Sequence, residues 1–122
     1  MPKNATTSFY RGVQGEAIAV AFLHLHGYHI LEKRYRTPFG EIDIIARYEN
    51  MIVCVEVKAR SSLNNSLKAL HTHQQERIIK AYLYFIQSFP DYSNKAVRFD
   101  VIVCAPSSKP LHIENAFEAN YE

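Results

Sequence analysis

Gly40-Glu41-Ile42-Asp43-Ile44-Ile45-Ala46, followed after a short gap by Val55-Glu56-Val57-Lys58-Ala59-Arg60, decides how this chain folds. Both runs are rich in Val and Ile, the residues that pack best on a pleated, half-buried surface. Each nevertheless holds an acid inside its apolar run, and the second adds a lysine two residues later. A carboxylate set among aliphatic side chains is costly unless a cation or a hydrogen bond compensates it. A divalent metal is one such partner, and metal-bound carboxylates beside a lysine suit hydrolysis of a phosphodiester.

The gap between the runs sets their register. With Glu49-Asn50 as a two-residue turn, Tyr48 lies opposite Met51, Asp43 opposite Glu56 and Glu41 opposite Lys58. Period-2 alternation then places Glu41, Asp43 and Ile45 on one face, and Cys54, Glu56 and Lys58 on one face of the partner strand. Opposed side chains have Cβ atoms about 5 Å apart. Two carboxylates so close repel, and one takes up a proton unless a cation bridges them. Oxygen ligands of this kind suit Mg²⁺ or Mn²⁺. The competing reading is a structural ion-pair patch, with Lys58 neutralising Glu41 or Asp43 and no chemistry involved.

Outward from this hairpin, residues 9–26 read as a helix with Ser8 as N-cap and Gly27 as stop, and residues 1–8 as a flexible lead-in. Its apolar content on more than one side predicts packing against a sheet. Glu16 falls on the flank that faces that sheet, as an extra metal or water ligand or as a boundary glutamate reaching solvent. Residues 28–36 read as a strand running into a basic loop, and Thr37-Pro38-Phe39-Gly40 as a turn. Ser61 to Leu70 reads as a polar loop. Thr72 and Gln75 give a capping-box signal for a second helix. That helix places Ile78, Ala81, Tyr82, Phe85 and Phe89 on one face and ends at Pro90. Residues 96–104 form a third core strand and 111–117 an edge strand. This order predicts an α/β sandwich, not a helical bundle.

The 122 residues suit one domain, and 48% hydrophobic with 21% charged residues is ordinary globular composition. No apolar stretch is long enough to span a bilayer, and the first residues lack a secretory apolar core, so the cytoplasm is the expected compartment. Cys54 and Cys104 read as buried free thiols. Residues 1–110 hold all 14 Lys and Arg against nine acids, and 111–122 hold only acids, Glu114, Glu118 and Glu122. A basic body with an acidic tail is compatible with a phosphate-backbone partner. The six histidines include His24, His26, His29, His71 and His73, but no spacing among them fits a zinc motif. Lys33, Arg34, Arg36 and Arg60 flank the acidic motifs and are candidates to grip phosphates, against the alternative of a solvated charged face. Tyr35 and Phe39 interleave with them, either to stack on an unpaired base or to pack internally.

Taken in order, Gly12-Val13-Gln14-Gly15-Glu16-Ala17, Gly27-Tyr28, the Gly40–Ala46 and Val55–Arg60 runs, and Arg98-Phe99-Asp100-Val101 resemble the small bacterial YraN-like proteins. Their pattern is similar to the PD-(D/E)XK nuclease superfamily, and within it to archaeal Holliday-junction resolvases. The likeness runs from about residue 12 to 102. It implies a restriction endonuclease-like three-layer sandwich, a central mixed sheet flanked by helices, in one nuclease-like domain. It implies that Asp43, Glu56 and the Val57 carbonyl hold Mg²⁺ or Mn²⁺, that Lys58 is the catalytic lysine, and that Glu16 is the helix-borne acid. Related resolvases act as dimers on two-fold symmetric junctions, so a homodimer is implied too, although no residue here marks its surface. The chain departs from the pattern at Arg34-Tyr35-Arg36, where Asn often follows the first arginine. It departs again at Gln74-Gln75, where a lysine is common, and at Cys54, where an aromatic is common.

The expected function is a metal-dependent endonuclease acting on DNA, on branched or structured DNA in particular. The alternative is a catalytically silent nucleic-acid-binding or assembly module of the same fold. A third reading makes the acidic tail a contact for another protein.

Overall fold

Each apolar run becomes a strand, and the two helical patterns fall on either side of the sheet they form. The structure, a computed structural model, describes residues 4–59, 71–106 and 108–119, with side chains from Gln14 onward. Helix α1 (Asn4–Leu25) leads into β1 (His29–Thr37), β2 (Gly40–Tyr48) and β3 (Met51–Ala59). Helix α2 (Thr72–Ser88) and a 3-10 turn (Pro90–Tyr92) precede β4 (Ala96–Cys104) and β5 (Leu111–Phe117). The sheet order is β1-β2-β3-β4-β5. Every neighbouring pair is antiparallel except β3 and β4, which run parallel. A parallel pair needs a long crossover, and α2 lies within it.

Alternation along β3 and β4 divides the core into two layers. Ile52, Cys54, Phe99, Val101 and Val103 pack with Ile78, Ala81, Tyr82 and Phe85 of α2. Val53, Val55, Ile102 and Cys104 pack with Ala19 and Leu23 of α1. Both faces of the central strands are therefore covered, which is why β3 and β4 read as near-continuous apolar runs. Each fully buried aliphatic or aromatic side chain contributes about 1.5–3 kcal/mol. Cys54 and Cys104 are buried free thiols, as expected. The Cys104 thiol donates to the Gly15 carbonyl at 3.4 Å, tying α1 to β4. Among the described residues no helix is long and apolar enough to cross a membrane.

Asp100 is the one buried charged residue of the described core, at 1% exposure. It accepts from Arg98 Nε at 2.8 Å, Arg98 Nη2 at 2.8 Å and the Asn115 N–H at 2.9 Å, and its Oδ2 is 2.7 Å from His112 Nε2. Burial pushes its pKa up. The bonds from His112, Arg98 and Asn115 outweigh burial and hold the carboxyl below its usual range. Arg98 also donates to the Tyr28 hydroxyl at 2.6 Å, tying the start of β1 to β4.

Three sequence expectations shift. Helix α1 starts at Asn4, so Ser8 lies inside it and is not its N-cap. Nothing between Ala5 and Ser8 breaks a helix, and Ser and Thr are tolerated in a helix interior at modest cost. The cap of α2 is His71, one residue before Thr72, and the His71 N–H donates to Gln74 Oε1 at 3.4 Å. Phe89 does not join the buried face. It lies past the end of α2, 42% exposed, with its ring centroid 5.0 Å from that of Phe85. The segment from Arg60 to Leu70, including the expected polar loop, lies outside the described residues.

The β1–β2 turn presents Gly40 at φ +151, where an added Cβ would stand 3.4 Å from Arg77 Cβ on α2. Thr37 Oγ1 accepts from the Phe39 and Gly40 N–H groups and donates to the Gly40 carbonyl, closing the turn. A side chain at Gly40 meets backbone strain and a crowded neighbour together. Gly40→Ala is expected to destabilise the fold by about 1–2 kcal/mol, read by urea denaturation.

Candidate functional site

The hairpin register holds from Tyr48↔Met51 to Ile44↔Val55, as counted from the sequence. The backbone ladder then stops, and side chains take over at the next step. Asp43 Oδ2 accepts the Val57 N–H at 2.9 Å. The Asp43 and Glu56 side chains face the same cleft. Lys58 Nζ stands 3.8 Å from Glu56 Oε1, the two side chains being 21% and 18% exposed. The predicted trio of Asp43, Glu56 and Lys58 is thus brought together where β2 and β3 part.

Burial raises the pKa of both acids. Glu56 moves from its ordinary 4.5 to about 8, through desolvation first and the neighbouring Asp43 charge second, with Lys58 opposing. Asp43 is also raised, by burial and by the charges of Glu16 and Glu41, against the Val57 and Glu56 hydrogen bonds. Two half-buried carboxyls this near each other disfavour double ionisation, and a cation would relieve that repulsion.

The site opens into a cleft of about 210 Å³ lined by Gly40, Glu41, Asp43, Glu56, Gln74, Arg77 and Ile78. Among the described residues no three His, Cys, Asp or Glu side chains converge on one point. Two hard carboxylates facing an open cleft still match the needs of Mg²⁺, which takes one or two carboxylates and completes its shell with water and substrate phosphate. The donor set therefore fits Mg²⁺ or Mn²⁺ held by Asp43 and Glu56.

Strict alternation does not survive at the site. Ile42 packs in the α2 layer and Ile44 in the α1 layer, although two residues apart in a regular strand share a face. On β1, Lys33 lines the α1 side with Ile44, while Tyr35 packs edge-on to Phe85 of α2 at 5.3 Å. The residue between them, Arg34, has φ +51. Lys33 pairs with Ile44 and Tyr35 with Ile42, so Arg34 falls opposite Asp43. The change of face thus falls at the left-handed Arg34 on β1 and beside Asp43 on β2. Glu41 pairs with Arg36 at 3.3 Å across the β1–β2 ladder, while on the other side the β2–β3 ladder ends at Ile44↔Val55, short of the Asp43/Glu56 and Glu41/Lys58 oppositions counted from the sequence.

Glu16 lines a separate hollow on the α1 side, with Lys33, Arg34 and Ile44. Its Oε1 accepts from Arg34 Nε at 2.9 Å, and its charge contributes to raising the Asp43 pKa. Of the basic residues expected to grip phosphates, Arg34 is engaged by Glu16 and Arg36 by Glu41, the latter with its side chain 80% exposed. Lys33 lines a hollow of about 420 Å³ between α1 and β1. Arg60 lies outside the described residues. Tyr35 packs internally, and Phe39 is exposed against Tyr84 of α2.

Arg77 escaped the sequence reading. It lines the cleft with Asp43 and Glu56 and makes no ion pair among the described residues. Its position three residues after Gln74, on one helix face, was the available signal.

Residues 15–104 match the model of the uncharacterised protein family UPF0102. The chain belongs to UPF0102. A UPF0102 protein of Bradyrhizobium diazoefficiens is 46% identical over 93% of this chain and 85% of its own length. One from Bradyrhizobium sp. (strain ORS 278) is 44% identical over 98% of this chain and 89% of its own. Another, from Rhodopseudomonas palustris (strain BisB18), is 42% identical over 93% and 84%. The UPF0102 span encloses Glu16, Arg34, Asp43, Glu56, Lys58 and Arg77, and ends before β5.

Proposed function

We propose that this chain is a metal-dependent endonuclease acting on DNA, with the restriction endonuclease-like architecture of the PD-(D/E)XK enzymes. The observation that carries the reading is the meeting of Asp43 and Glu56 in one cleft at the splay of two strands, with Lys58 Nζ 3.8 Å from Glu56 Oε1. Asp43, Glu56 and the Val57 carbonyl would hold Mg²⁺ or Mn²⁺, which supplies Lewis-acid polarisation of the phosphate and a more acidic bound water. Lys58 orients the attacking water and offsets the negative charge that develops on the phosphate. Arg77, on the opposite wall, contacts the phosphate backbone and keeps the strand in register with the acids. Half-burial of the pair strengthens each of these electrostatic contacts relative to open water.

The test is cleavage of a panel of branched, flapped, single-stranded and duplex DNAs with Mg²⁺ or Mn²⁺. Absence of cutting on every substrate ends the nuclease reading. Arg77→Gln is expected to raise KM for DNA several-fold and to lower the slope of log binding constant against log salt by about one. An unchanged slope removes Arg77 from the interface. The competing reading, a silent DNA-binding module, draws on Gln74 and Gln75 in place of a lysine. It requires binding that neither EDTA nor Glu56→Gln alters.

A further inference from the structure

Arg34 combines a strained backbone with an engaged side chain. At φ +51 an L-residue crowds its Cβ against the following carbonyl, whereas glycine adopts this conformation freely. The switch of faces between Lys33 and Tyr35 needs the left-handed backbone, but it does not need an arginine. What arginine adds is its guanidinium, whose Nε lies 2.9 Å from Glu16 Oε1. Exposed ion pairs of this kind contribute little to stability, so stability does not account for it. Its location does. Arg34 lies opposite Asp43 in the β1–β2 register, and Glu16 shares a hollow with Lys33, Arg34 and Ile44, the residue next to Asp43.

Resting on the nuclease reading above, we propose that Arg34 is a positioning residue. Its left-handed backbone turns the guanidinium toward α1, where it holds the Glu16 carboxylate in the hollow that both line with Lys33 and Ile44, the residue next to Asp43. It acts through Glu16 and not by gripping a phosphate. Lys33 and Arg77, which no acid engages among the described residues, are the cations left for DNA on the two sides of the site.

Arg34→Gly separates the two halves of this assignment, because glycine keeps the backbone turn and deletes the guanidinium. In the metal-free protein the thermal midpoint is expected to stay within about 2 °C of wild type. Binding of single-stranded and duplex DNA in EDTA should keep its salt slope. With Mn²⁺, kcat should fall roughly 10- to 100-fold with KM within about twofold, the signature of a misplaced group. The Arg34→Gly/Glu16→Gln double variant should cut no more slowly than Glu16→Gln alone. Losses that multiply, together with a raised KM and a salt slope lowered by one, overturn positioning in favour of a phosphate grip. A midpoint lowered by about 8 °C or more makes the pair structural and overturns it as well. Wild-type cleavage by Arg34→Gly overturns this assignment alone. A wild-type protein that cuts nothing overturns the nuclease reading and this assignment with it.

Discussion

Asp43→Asn is expected to reduce metal-dependent DNA cleavage by about 10³-fold or more while leaving the fold intact. Asparagine keeps an oxygen that can accept the Val57 N–H, so the splay of β2 and β3 survives. It removes the charge that faces Glu56, and with it half of the donor set for a divalent cation. Lys58→Ala should lose activity on a similar scale, since no other lysine or arginine among the described residues stands within 4 Å of Glu56. Circular dichroism and denaturation midpoints establish that the variants fold, and single-turnover cleavage measures the loss. Cutting by Asp43→Asn within tenfold of wild type would sink the assignment of the site.

Glu56→Gln should make the metal-free protein more stable at alkaline pH even as it removes cleavage. The Glu56 pKa is raised from 4.5 to about 8, so the folded state binds a proton that the unfolded chain releases. The resulting stabilisation is fully present below about pH 4.5. It declines by about 1.4 kcal/mol per pH unit as the pH rises, and is gone above about pH 8. The raised Asp43 acts in the same direction. Urea midpoints in EDTA between pH 5 and 9 should therefore fall steeply for wild type and much less for Glu56→Gln. Mg²⁺ or Mn²⁺ held by Asp43 and Glu56 would compete with protonation of Glu56, so either ion should stabilise wild type more at pH 8 than at pH 5. Parallel pH profiles for the two proteins would remove the buried acid pair from the account.

The strand limits of β4 and β5 were legible from apolar runs and turn residues, and the β2–β3 register from a two-residue loop between alternating strands. The trio of Asp43, Glu56 and Lys58 followed from that register. Face alternation broke between Ile42 and Ile44 because it assumes a uniform backbone, and nothing in Lys33-Arg34-Tyr35 announces a left-handed residue that is not Gly, Asn or Asp. Glu16 could be suspected from a helix pattern, but its partner is a strand residue 18 positions away, which spacing cannot show. Arg77 was hidden because an exposed arginine on a helix has no periodic signature. Phe89 kept the helical period yet lay beyond the last turn, where the period no longer governs direction.

Both outer strands of the sheet are irregular. β1 carries a register shift between Ile30 and Glu32 and the left-handed Arg34, and β5 pairs with β4 through a shift between Phe99 and Val101 and holds Asn115 at φ +53. Kinked edges studded with Glu32, Lys33, Arg34 and Arg36 on one side and Glu114 on the other are poor templates for a further strand. The sheet is thereby protected against edge-to-edge polymerisation and fibre growth. A second copy joining this one across a two-fold axis would have to meet it through helices and loops, leaving the strand borders in water.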